Sequence, residues 1–81
     1  MEIKEEAIEV LVKKAAALFG LDPSTLGENT SFEDDLHCKS VNYVQFSAAL
    51  EDEFDVEVPY MEFKRKKTFG EAGEYIASLF D

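Results

Sequence analysis

Tryptophan is absent from this 81-residue chain, cysteine occurs once, proline twice, and cations are outnumbered by acids, eight to eighteen. Each shortage excludes something. The lone Cys38 cannot close an internal disulfide, which rules out a disulfide-framed secreted mini-protein and fits a reducing compartment, with the cytoplasm as the expected location. A formal charge of −10 repels nucleic acid and anionic lipid and attracts basic protein surfaces, so the expected partners are basic proteins, not nucleic acid or membrane. No apolar run opens the chain, because Glu2, Lys4, Glu5, Glu6, Glu9, Lys13 and Lys14 interrupt it, and no signal peptide is expected.

What is present is a folding composition: 46% hydrophobic residues, with seven phenylalanines and three tyrosines. The length allows one domain, taken as 1–81 and expected to be monomeric. Such a small domain buries only about 60–65% of its unfolded surface, so its core must be economical.

Residues 34–54 organise the rest. They read D-D-L-H-C-K-S-V-N-Y-V-Q-F-S-A-A-L-E-D-E-F, an acidic turn leading into an amphipathic helix that begins at Ser40. Tyr43, Phe46, Leu50 and Phe54 share one side at spacings of three, four and four, a core-facing stripe. Val41, Val44 and Ala48 form a second, outward strip beside Gln45, Glu51 and Asp52, a candidate partner surface. Ser40 sits at the helix start with backbone N–H groups behind it, where serine is also a favoured N-cap.

In chain order, residues 2–19 read as a helix with Ile3, Ala7, Ile8, Leu11, Ala15, Leu18 and Phe19 inward, closed by Gly20 with Leu21 packing back. Asp22-Pro23 starts a single turn, 23–26, inside a long connection. Ser31, with Asp34 three residues on, caps another turn, and Phe32 and Leu36 pin that loop to the core. Residues 55–58 alternate like a strand but have no partner, and Pro59 stops any helix, so they read as loop. A short helix is expected over 60–66. Thr68-Phe69-Gly70-Glu71 reads as a capping box opening a last helix through Leu79. Gly73 inside it marks either close helix packing or a weak spot, at about 1 kcal/mol relative to alanine. The expected fold is all-α, a bundle of three main helices plus one short one.

The order of long acidic helix, loop, D-L-x-x-x-S, helix ending L-E-D-E-F-D-V-E-V-P, short helix and T-F-G-E-A-x-E-Y-I resembles the acyl carrier protein family over essentially the whole chain. The match is most specific between Asp35 and Pro59, where Leu36, Ser40, Leu50, Phe54 and Pro59 follow the family spacing without a gap. The resemblance implies that a phosphopantetheinyl transferase moves 4'-phosphopantetheine from coenzyme A onto Ser40. Acyl groups then ride on the arm's terminal thiol as thioesters, in fatty-acid, polyketide or related chain building. It departs from the family pattern at Lys39, where aspartate is usual, at His37, where glycine is common, and at Lys64, Arg65, Lys66 and Lys67, where many carriers are acidic or apolar. A bulkier residue is also expected at Gly73, and Phe63 is the candidate to fill the space.

Other readings are weaker. His37 and Cys38 are neighbours in sequence without an assignable orienting acid, so a thiol catalyst is not expected. Glu51, Glu53, Asp55, Glu57 and Glu62 imitate part of a calcium loop, but Val56 stands where the loop needs glycine. No set of base, nucleophile and oxyanion donors is present, which excludes an enzyme. The competing function is an unmodified carrier-like domain acting as a protein-interaction adaptor.

Overall fold

The N-terminal periodic segment forms helix α1 (Ile3–Phe19) in the computed structural model, which describes residues 2–81. Met1, the first residue of the single-domain expectation, lies outside the described residues. Ala7, Leu11 and Ala15 are the fully buried line of α1, and Gly20 ends it in the left-handed conformation, φ 65°. Leu21 N–H reaches back to Ala16 C=O at 3.1 Å, closing the helix end. Leu21 itself does not pack back as expected, since 39% of it stays exposed.

Asp22 accepts the Ser24 N–H at 2.9 Å and starts a 3₁₀ turn over Pro23–Thr25. The loop beyond it is fixed at several points. Ser31 Oγ accepts the Asp34 N–H at 2.9 Å, while the returning bond comes from Asp35, whose Oδ2 takes the Ser31 N–H at 2.7 Å. Phe32 N–H donates to Lys67 C=O, and Phe69 N–H to Thr30 C=O, so the loop lies bridged against the segment entering the last helix. Phe32 is fully buried, with its ring centroid 4.9 to 5.8 Å from those of Tyr43, Phe46, Phe63 and Phe69. A loop residue is thus the hub of the aromatic core, where edge-on and tilted rings add about 0.5–1.5 kcal/mol per pair beyond area burial.

Helix α2 (Ser40–Phe54) turns Phe46 and Leu50 fully inward, with Tyr43 and Phe54 half-buried beside them. It ends at Asp55, which is left-handed (φ 52°) although it is not glycine. Among the described residues 55–58 pair with no strand, as the loop reading required. Helix α3 is only Tyr60–Phe63, three residues shorter than expected, because past Phe63 the chain must run out toward its bridge with Ser31. Helix α4 (Phe69–Ser78) is capped by Thr68, whose Oγ1 accepts the Glu71 N–H at 3.2 Å; Glu71 returns its carboxylate to the Lys67 N–H, one residue outside a regular capping box.

α4 packs chiefly on α1, and α2 packs on α1 and α3. Gly73 explains the first contact. A Cβ there would lie 2.9 Å from Lys4 O and 3.0 Å from Ile8 Cγ1, so the missing side chain is replaced by the backbone of α1, not by Phe63. Phe63 instead packs among Phe32 and Tyr43. Lys4 Nζ fastens the same junction to Glu28 at 2.7 Å and Glu74 at 3.3 Å; these two carboxylates, Glu28 first, raise the ammonium's pKa from its ordinary value.

Candidate functional site

The route to Ser40 is a short bridge between two anchors, Leu36 in the core and α2. His37 adopts φ 52°, the left-handed region, at the position where the family resemblance sets glycine. The turn needs that conformation, and histidine accommodates it with strain. Cys38 N–H then donates to Phe32 C=O at 2.9 Å, and Lys39 is extended (φ −106°, ψ 172°).

Lys39, not Ser40, is therefore the N-cap; Ser40 is the first helical residue. A lysine side chain has no acceptor, so the forward half of a cap is missing. Only the return bond exists, Lys39 N–H to Asn42 Oδ1 at 2.9 Å. The first intrahelical bonds run from Asn42 and Tyr43 N–H to Lys39 C=O, leaving the N–H groups of Ser40 and Val41 ahead of the ladder. Ser40 is exposed, and among the described residues its hydroxyl has no hydrogen-bond partner. Its carbonyl accepts from the Tyr60 hydroxyl at 3.5 Å, which sets α3 beside the start of α2.

The outward strip lies where its spacing placed it. Val41 and Val44 are 59% and 51% exposed, and Ala48 and Asp52 are exposed further along. Two of its flanking residues are otherwise engaged. Gln45 is half-buried and accepts from Asn42 Nδ2 at 3.2 Å, and Glu51 Oε2 accepts the Val58 N–H at 2.8 Å, tying down the α2–α3 loop. Gln45, Ala48 and Asp52 also border a shallow groove of about 870 Å³ against Val10 and Ala17 of α1. Sequence reasoning missed that groove, although small residues at helical spacing on both α1 and α2 were its available signal.

The thiol two residues before Ser40 is not activated. Burial pushes the Cys38 thiol up to about 11, so it stays protonated and is a poor nucleophile at neutral pH. Among the described residues no group of three or more His, Cys, Asp or Glu side chains could hold a metal ion.

An exposed serine hydroxyl at the first turn of a helix in a small helical bundle is the geometry that an attachment site on a carrier domain requires. The family profile described as "Phosphopantetheine attachment site" matches residues 9–76. The chain is 39% identical over 75 residues to the "Acyl carrier protein" of Lactobacillus acidophilus (strain ATCC 700396 / NCK56 / N2 / NCFM), covering 93% of this chain and 94% of that protein. It is 31% identical, with the same coverage, to the "Acyl carrier protein" of Lactobacillus johnsonii (strain CNCM I-12250 / La1 / NCC 533). The chain belongs to the acyl carrier protein family. It is a carrier, not an enzyme, and its cofactor is 4'-phosphopantetheine.

Proposed function

We propose that this chain, acting as one domain, carries acyl groups as thioesters on a 4'-phosphopantetheine arm attached to Ser40. The observation that carries the reading is the Ser40 hydroxyl, exposed and without a partner at the first turn of α2 beside two valines more than half exposed. An unengaged hydroxyl lets a transferase supply the base that serine lacks. The Ser40 Oγ–P bond forms as the pyrophosphate bond of coenzyme A breaks, the nucleotide leaves, and the hydroxyl proton passes to the transferase. When loaded, the arm supplies a terminal thiol for acyl groups and raises the effective concentration of its cargo at each docked enzyme. Val41, Val44 and Ala48, edged by Gln45, Glu51 and Asp52, are the face we assign to basic surfaces of the transferase and of acyl-chain enzymes. The protein works as a monomer in the cytoplasm, in fatty-acid or related acyl-chain synthesis. Among the described residues no helix is long and apolar enough to cross a membrane.

The test is loading with coenzyme A and a broad-specificity phosphopantetheinyl transferase, followed by intact mass. One phosphopantetheinyl group should be added to the native chain and none to Ser40→Ala, which keeps its fold because the hydroxyl caps nothing. Loading of the alanine variant overturns the assignment. Lys39 favours a second reading, an unmodified adaptor, since it places a cation where the resemblance sets an acid. The intact mass of protein isolated from its own cell separates the two.

A further inference from the structure

Charge changes sign along the chain from the end of α2 to the segment after α3. Glu51, Asp52, Glu53, Asp55 and Glu57 follow one another with no cation between them, and then Lys64, Arg65, Lys66 and Lys67 follow with only Glu62 before them. Tyr60 links the two halves, because its hydroxyl reaches the Ser40 carbonyl and Lys64 Nζ stands 5.8 Å from the centre of its ring. The basic half is not consumed inside the protein. Arg65 reaches Glu62 at 3.7 Å in an exposed pair, whereas among the described residues no carboxylate ion-pairs with Lys64, Lys66 or Lys67. Glu33 and Asp34 lie across a crevice from the run without closing on it. Lys66 is partly occupied over the Tyr75 ring at 4.9 Å. An apolar side chain precedes the run by one helical turn: Met61 on α3, three and four residues before Lys64 and Arg65, is 63% exposed, more than any other large hydrophobic residue described. A flexible apolar side chain next to exposed cations gives a partner surface to bury as well as charge to pair.

We propose that Met61, Lys64, Arg65 and Lys67 form a second docking patch that takes an acidic protein surface, so that this carrier's partners present cations to α2 and anions to α3. The patch rests on the carrier reading only for its place beside Ser40. Exposed like charges held together are repelled by an ordinary basic partner site, so the patch selects partners as well as binding them.

The test uses the unloaded full chain, labelled with ¹⁵N, so that a failure at Ser40 leaves it intact. The probes are a glutamate–leucine helical peptide, a lysine–leucine counterpart, a short DNA duplex and inorganic phosphate. The glutamate peptide should shift the amides of residues 60–68. Combined Lys64→Glu, Arg65→Glu and Lys67→Glu should weaken it about tenfold. Met61→Ser should weaken the peptide without changing the phosphate response. Equal binding of the peptide to the triple variant overturns the proposal. So do phosphate shifts that match the peptide's, tighter binding of the duplex, or shifts that follow the protein's own concentration. Absence of lysine-peptide shifts over residues 48–57 would instead count against the α2 face and leave the basic patch standing.

Discussion

The carbonyl oxygen of Lys4 lies 2.9 Å from the point where a Cβ on Gly73 would stand. Helix propensity alone says that Gly73→Ala gains about 1 kcal/mol. The contact reverses the sign, since the obstructing atom is backbone and α1 would have to move off α4, at about 1–3 kcal/mol. Denaturant unfolding should show Gly73→Ala destabilised, while Gly27→Ala, with nothing within 4 Å of its Cβ, stays near the parent. A more stable Gly73→Ala protein would mean that the two helices are not in close contact there.

The two strips of α2 make opposite forecasts. Leu50 is fully buried, so Leu50→Ala should cost about 2–5 kcal/mol. Val44 is half exposed, so Val44→Asp should change stability by no more than about 0.5 kcal/mol while weakening transfer to partner enzymes. Thermal melts of the two variants, with loading rates for Val44→Asp, check both halves. Equal damage to the melts would put Val44 in the core.

His37 at φ 52° predicts that His37→Gly stabilises the protein. Left-handed backbone costs a residue with a Cβ about 1–2 kcal/mol, and the extra freedom of unfolded glycine returns about 0.4–1 of that. The net gain should be about 0.5–1 kcal/mol by urea denaturation. His37→Val should lose stability, because a branched Cβ fits that region worst. Two variants of equal stability would mean that the turn does not hold its left-handed residue.

Much of this molecule was legible from spacing. The inward line of α2, the glycine end of α1, the Thr68 cap and the outward valines all follow from period and local capping chemistry, which act within a few residues. What was not legible depends on approach from a distance. Nothing local to Gly73 says that Lys4 will be its neighbour, and nothing local to Phe63 says that the bridge of Ser31 with Thr68 will cut α3 short. Position alone sets Ser40 at the helix start, but whether it or Lys39 holds the N-cap depends on backbone angles. Spacing sets Glu51 at the edge of the outward strip, and only the fold brings the Val58 N–H to it.

Alkaline pH should expose the burial of Cys38. Its pKa rises from 9.0 to about 11 because the thiolate loses solvation. A group raised in the folded state favours folding fully below its unfolded value, and that contribution disappears as pH climbs through the folded one. Cys38 therefore contributes no pH dependence below about 9, and stability should fall between about pH 9 and 11. Tyr43 and Tyr75, also raised chiefly by desolvation, reinforce the loss. Cys38→Ser should flatten part of the slope in unfolding curves measured across that range. Alkylation of native Cys38, which is half-buried, should rise toward pH 11, and rapid alkylation near pH 8 would contradict the raised pKa.

Lys39 offers the sharpest separation of charge from capping. It occupies the N-cap with extended backbone, the conformation in which an aspartate side chain accepts from the second or third N–H of the helix. As lysine it opposes the positive end of the helix dipole by about 0.3–1 kcal/mol and gives no acceptor. Lys39→Ala should recover only the dipole part, a few tenths of a kcal/mol. Lys39→Asp should recover that and add a cap, about 1–2 kcal/mol in all, provided that Asn42 keeps its bond from the residue 39 N–H. Loading divides the same way. If a general transferase reads an acid before the serine, Lys39→Asp should load faster than both lysine and alanine forms, whereas a transferase matched to this chain should prefer lysine. Chemical denaturation and initial loading rates on the three proteins, with both enzymes, decide between them. Equal loading throughout would make Lys39 a neutral surface residue for the transferase, and partner selection would then fall to the basic patch beyond α3.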